Sequence, residues 1–152
     1  EWLPSNQDKY QKKKGQWILD LPKDYRKELQ VTGFKITPSR THGERGYFSK
    51  KINGRVVRMW DFTEEQYQAL IKLSIGINRL LPRVKLQVPF DKKSGKHPLD
   101  RLKNYSNFSG ILGHAHVQQG ENGVECKYDP GSAFNWPRLR KVFALHGKRK
   151  GT

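Results

Sequence analysis

The chain has a single cysteine, Cys126, among its 152 residues, so no disulfide closes within it and nothing in its composition calls for an oxidising compartment. It has no apolar run of about eighteen residues, the length a membrane-spanning helix needs. Nor do its first residues carry the basic stretch followed by an apolar one that marks a secretory signal. Acid is scarce: 14 Asp and Glu stand against 30 Lys and Arg, for a formal charge of +16. Apolar material is scarce too, with 34% hydrophobic residues and a mean hydropathy of −0.89, thin for a chain that must offset its own ordering entropy. Excess positive charge points to a polyanionic partner, nucleic acid being the commonest, and the thin core points to support from neighbouring subunits. The length suits one domain. The opening on Glu1 rather than Met reads as a processed product or as part of something longer.

Residues 1–58 read as an extended basic arm with loops, interrupted at Lys14-Gly15, Leu21-Pro22, Thr37-Pro38 and His42-Gly43, leaving only short pieces such as Gln16–Leu19 and Gly54–Met59 as candidate strands. Its Trp2, Tyr10, Trp17, Tyr25, Phe34, Tyr47 and Phe48 alternate with Lys and Arg, a mixture that either stacks on bases and pairs with phosphates or anchors a meandering segment to a core. A long helix is expected after Phe62, because Thr63 and Gln66 have capping-box spacing and Phe62 can staple on Tyr67. Tyr67, Leu70, Ile71, Ile77 and Leu81 recur at helical spacing, Leu73 and Leu80 widen the stripe, and Pro82 stops it. A basic loop at residues 92–98 and a short helix near Leu99–Tyr105 follow. Residues 108–117 read as a buried strand. A final helix is capped by Asn135, carries Pro137 in its first turn and Leu139, Val142 and Phe143 on one face, and stops at Gly147.

Along a strand, residues i and i+2 share a face, so His114 and His116 would offer two imidazoles to one zinc ion, and Asp129 would add an oxygen. Such a zinc acidifies a bound water to about pH 7, and Lys127 would stabilise the oxyanion formed on attack at an amide carbonyl. Lys127-Tyr128-Asp129-Pro130-Gly131 is also a good turn by composition alone. Cys126, beside this loop, reads as a semi-buried thiol.

Three blocks, Asp61 to Leu70, Gly110 to Gln118 and Lys127 to Trp136, make residues from about Trp60 to Leu139 resemble the C-terminal half of the zinc-dependent N-acetylmuramoyl-L-alanine amidases, the group that includes phage T7 lysozyme and the peptidoglycan recognition proteins. The resemblance implies an α/β fold with a mixed sheet flanked by helices, a zinc held by two His and one Asp, and cleavage between muramic acid and the first peptide residue. It makes His114 the second zinc histidine, Asp129 the Asp ligand and Lys127 the lysine on the scissile carbonyl, and gives His116 no assured role. The family's first zinc histidine and its Glu or Tyr proton carrier have no counterpart here. His42 sits in a loop-like Thr-His-Gly-Glu setting, and residues 119–126 exceed the usual connection.

The organisation read from the sequence is therefore a basic arm at 1–58, an amidase-like half-domain at 59–147 and a basic tail at 148–152. Two functions compete. The one the sequence favours is a catalytically incomplete, amidase-derived subunit of a large ribonucleoprotein assembly such as a mitochondrial ribosome, without a cofactor, located in the organelle interior. Its RNA contacts would be Lys12, Lys13, Lys14, Arg40, Arg45, Lys50, Lys51, Arg55, Lys92, Lys93, Lys148, Arg149 and Lys150. The alternative is a zinc amidase acting on peptidoglycan, periplasmic or extracellular, whose first half comes from a further segment or a partner chain. A wall-binding module without hydrolysis is a third, weaker reading.

Overall fold

The computed structural model describes residues 10–19, 36–118 and 127–148. Its strands pair in two separate antiparallel hairpins, β1 (Tyr10–Lys13) with β2 (Gln16–Leu19) and β3 (Phe48–Ile52) with β4 (Arg55–Met59). Among the described residues, then, an α/β chain is present, but its strands form two small sheets where one mixed sheet was expected. Both hairpins turn on two residues of positive φ, Lys14 (49°) with Gly15 (80°) and Asn53 (46°) with Gly54 (84°). Paired left-handed residues of this kind match the twist of the flanking strands. The region expected to be mostly irregular thus contributes four short strands, and β4 runs across position 58.

Helix α1 (Glu64–Leu80) starts where the sequence places it. Thr63 Oγ1 accepts the Gln66 N–H while Gln66 Oε1 accepts the Thr63 N–H, a reciprocal cap. Phe62 meets Tyr67 edge to face at 5.9 Å, which fixes the entry of the chain. Leu81 ends the helix one residue before Pro82. The buried stripe is narrower than expected: Tyr67, Ile71 and Ser74 face inward, whereas Leu73, Leu80 and Leu81 are 60%, 83% and 59% exposed. At 3.6 residues per turn, Leu73 and Leu80 lie roughly 100° or more around the helix from every residue of the buried stripe.

Residues 81–113 wander through turns. The short helix expected at Leu99–Tyr105 is a single 3-10 turn at Tyr105–Asn107, and the expected strand at 108–117 gives way to one helical turn, α2 (His114–Val117). Local bonds explain the change. His116 Nδ1 accepts the Gly113 N–H, His116 N–H reaches Gly113 O at 3.0 Å, and among the described residues no neighbouring strand offers a ladder. Helix α3 (Trp136–Lys148) runs one residue past Gly147. Asn135 Oδ1 accepts the Arg138 N–H at 3.1 Å, the expected cap.

The main core joins Tyr67 of α1 to Trp136, Leu139 and Phe143 of α3, with Val88 and Phe134 from the loops. A second cluster packs Tyr10, Leu19, Trp17 and Tyr47 around Trp60, with Tyr10 stacked on the indole at 4.2 Å. Of the two roles open to these aromatics, anchoring is the one they perform in the fold. Trp2, Tyr25 and Phe34 lie outside the described residues.

Candidate metal centre and basic surface

The turn of α2 separates the two histidines that a strand would have aligned. His116 is 1% exposed; its Nδ1 accepts from Gly113 N–H at 2.9 Å and its Nε2 lies 2.9 Å from Pro98 O. A carbonyl only accepts, so His116 is the neutral tautomer protonated on Nε2, and burial, its largest perturbation, lowers its pKa. Both nitrogens are occupied, which takes His116 out of a ligand set. It pins the start of α2 to residue 98 instead.

His114 faces outward. Its Nε2 donates to Gln118 Oε1 at 2.7 Å, leaving Nδ1 directed at Asp129 Oδ2, 3.5 Å away. The side chains are 43% and 58% exposed, open to a ligand from solvent. The Asp129 backbone is held in turn, since its carbonyl accepts the Ala115 N–H at 3.0 Å. Gly113 permits that approach: a Cβ there would lie 2.4 Å from Pro130 Cδ and 2.8 Å from Asp129 O.

A cation shared by the two side chains is one arrangement that the His114–Asp129 contact allows; an exposed ion pair is the other. Zinc bonds of 2.0–2.2 Å at tetrahedral angles set neighbouring ligand atoms about 3.4 Å apart, close to the His114–Asp129 separation. A proton on Nδ1 would make the same contact an exposed ion pair, worth about 0–1 kcal/mol. The His114–Asp129 separation suits two zinc ligands as well as it suits an ion pair, and the Gln118 contact at 2.7 Å orients the imidazole in either case. Among the described residues no group of three His, Cys, Asp or Glu side chains gathers around one point. Lys127 lies two residues before Asp129; Cys126 falls outside the described residues.

The cavity of about 240 Å³ bounded by Tyr10, Ile36, Met59, Trp60 and Phe62 does not include His114, Lys127 or Asp129 in its lining, so it is separate from this centre.

Of the expected RNA contacts, Lys12, Lys13, Lys14, Arg45, Lys50, Lys51, Arg55, Lys92 and Lys93 are exposed. Lys12 approaches the Trp17 ring at 6.0 Å, and Arg45 and Arg55 donate to the hydroxyls of Tyr47 and Tyr128 at 3.3 and 3.4 Å. Arg40 is committed inward: its Nε pairs with buried Asp61 at 2.6 Å and its Nη2 donates to Ala133 O. Arg149, Lys150 and the side chain of Lys148 lie outside the described residues. The sequence reading passed over Asn53, which contacts both sides of the candidate centre. Its signal was the Asn-Gly pair after β3, a hairpin mark in its own right.

Comparison with protein-family models, with curated proteins and with solved structures returns no match for this chain.

Proposed function

We propose that this chain carries part of the metal centre of a zinc-dependent amide hydrolase of the N-acetylmuramoyl-L-alanine amidase kind, with His114 and Asp129 as two ligands. The observation that carries the reading is the pairing of His114 Nδ1 with Asp129 Oδ2 at 3.5 Å while Nε2 is tied to Gln118. This geometry supports the amidase reading, which the sequence offers as the alternative to a catalytically incomplete ribonucleoprotein subunit. The remaining ligand comes from a further segment or a partner chain. When bound, zinc supplies the Lewis acidity that brings a water pKa to about 7. The chain's own contribution is positional. Gln118 fixes the His114 tautomer, Ala115 N–H holds the Asp129 backbone, and the Lys127 ammonium meets the negative charge that develops on the scissile carbonyl oxygen.

Zinc titration of the wild-type chain, His114→Ala and Asp129→Ala tests the reading. Each variant is expected to lose the wild-type uptake, while His42→Gln, at a loop histidine outside the centre, keeps it. Identical isotherms for all four would refute it. Release of stem peptide from purified peptidoglycan, once the complementing half is supplied, tests the reaction itself.

The exposed cations at Lys12–Lys14, Lys50–Lys51 and Lys92–Lys93 favour a second reading, an RNA-contacting subunit of a ribonucleoprotein assembly. Stoichiometric RNA on the purified chain, with zinc uptake indifferent to Asp129, would select it.

A further inference from the structure

Asn53 occupies the first turn position between β3 and β4, at φ 46°, a region Asn enters more readily than most residues. The turn alone would be served equally by Asp or Gly. What only Asn adds is an amide group with an acceptor at one end and a donor at the other. The acceptor is fixed first: Oδ1 takes the Arg101 N–H at 2.8 Å, while the Asn53 N–H donates to Asp100 Oδ1 at 2.5 Å. Nδ2 is thereby turned toward three carbonyls, Ala115 O at 3.0 Å, Gln118 O at 3.3 Å and Lys127 O at 3.4 Å.

Those carbonyls belong to the two chain segments that supply the metal-centre side chains. Ala115 lies beside His114, Gln118 orients its ring, and Lys127 leads into Asp129. A one-turn helix leaves its final carbonyls without helical partners, and Asn53 Nδ2 satisfies two of them. Its third contact reaches the returning segment. The Ala115 N–H bond to Asp129 O completes a closed circuit through residues 53, 115, 129 and 127.

We infer that Asn53 is a positioning residue for this centre, its carboxamide setting α2 and the Lys127–Asp129 segment at the separation that places His114 Nδ1 against Asp129 Oδ2. The inference rests on the metal reading for its functional meaning, though not for its geometry. Asn53→Asp preserves the turn and the Arg101 acceptor but replaces the donor with a carboxylate facing three carbonyl oxygens. Asn53→Gly preserves the turn and removes the side chain.

The test uses the full chain and two readouts: zinc affinity, and amide hydrogen exchange of Ala115 in the metal-free protein. Both variants are expected to weaken zinc binding about tenfold or more, as loss of a ligand-orienting group does, and to speed exchange at Ala115 while leaving Tyr67 N–H, bonded to Thr63 O, at its wild-type rate. Asn78→Asp, which removes a comparable Nδ2 bond to Val84 O at the far end of α1, should move neither readout. Wild-type zinc affinity and wild-type Ala115 protection in both Asn53 variants would overturn the inference, as would equal loss of protection at Tyr67. If the wild-type chain takes no zinc at His114 and Asp129, the metal reading fails, and Ala115 exchange alone still decides whether Asn53 sets the two segments.

Discussion

Asp61 is 3% exposed yet ionisable, and three donors make its position tenable. Arg40 Nε reaches Oδ2 at 2.6 Å, while the Phe62 N–H and the Tyr67 hydroxyl reach Oδ1 at 3.0 and 2.5 Å. The same Tyr67 oxygen accepts the Asn135 N–H at 2.9 Å, so one hydroxyl ties α1 to the cap of α3. Burial, reinforced by the hydrogen bond to Asp61, drives the Tyr67 pKa upward. Tyr67→Phe keeps the ring in the core but strips one donor from Asp61 and leaves the Asn135 amide unpaired. Urea unfolding should register about 1–3 kcal/mol of lost stability; a change under a few tenths would mean that the network carries little. Glu64 makes a different prediction. The paired guanidinium of Arg138, with help from Gln68 and Ser39, holds its carboxyl at about 2 against an ordinary 4.5. Glu64 therefore stabilises the fold fully above pH 4.5, and this contribution fades as pH falls toward 2. Glu64→Gln should flatten the unfolding free energy across that window, and added salt should shrink the difference because the pair is exposed.

Elements differ in how far their sequences announce them. Helix α1 was readable because Thr63, Gln66, Phe62 and Pro82 mark its two ends with local chemistry, and Asn135 marked α3 in the same way. Thr63→Ala should cost about 1 kcal/mol in equilibrium unfolding, whereas Leu139→Ala, at 0% exposure, should cost about 2–5 kcal/mol through the cavity left between α1 and α3. Equal losses at the two positions would contradict this division between cap and core. The hairpins were half readable. Gln16–Leu19 and β4 carry short apolar runs, Trp-Ile-Leu and Val-Val, but β1 reads Tyr-Gln-Lys-Lys with only Tyr10 buried, and β3 holds Ser-Lys-Lys at its centre. What defines these strands is the pair of left-handed turns, which hydrophobic periodicity does not report. Residues 108–117 misled for a related reason. Ile111 and Leu112 suggest a strand, while the turn at His114 depends on a histidine folding back onto Gly113, and apolar spacing carries no record of that bond. The candidate centre was legible as residue types and order, in His114, Lys127 and Asp129. That His116 belongs to the core and that Asn53 bonds to both chain segments carrying His114 and Asp129 emerged only from contacts between segments distant in sequence.

At the scale of the whole molecule, a charge of +16 guarantees attraction to polyanions without specifying one, and the two functional readings part over how that attraction responds to salt. Exposed Lys92 and Lys93 sit on the turn closed by Asp91, whose side chain accepts the Lys93 N–H at 2.9 Å and the Ser94 hydroxyl at 2.6 Å. They therefore present two ammonium groups from a fixed backbone. If binding to single-stranded RNA is counterion release alone, log K falls linearly with log salt at about −0.7 per phosphate neutralised. Lys92→Ala with Lys93→Ala should then make the slope shallower by about 1.4 and leave zinc uptake at His114 and Asp129 untouched. Under the amidase reading, an anionic wall polymer of similar charge density should show the same slope and the same loss, because the field steers and does not discriminate. An RNA that holds its affinity between 50 and 200 mM salt, a range over which six to ten phosphate contacts lose about 10³–10⁵, must be recognised by something besides charge. That result, in filter binding or fluorescence anisotropy across the salt series, would shift the assignment from hydrolase to ribonucleoprotein subunit.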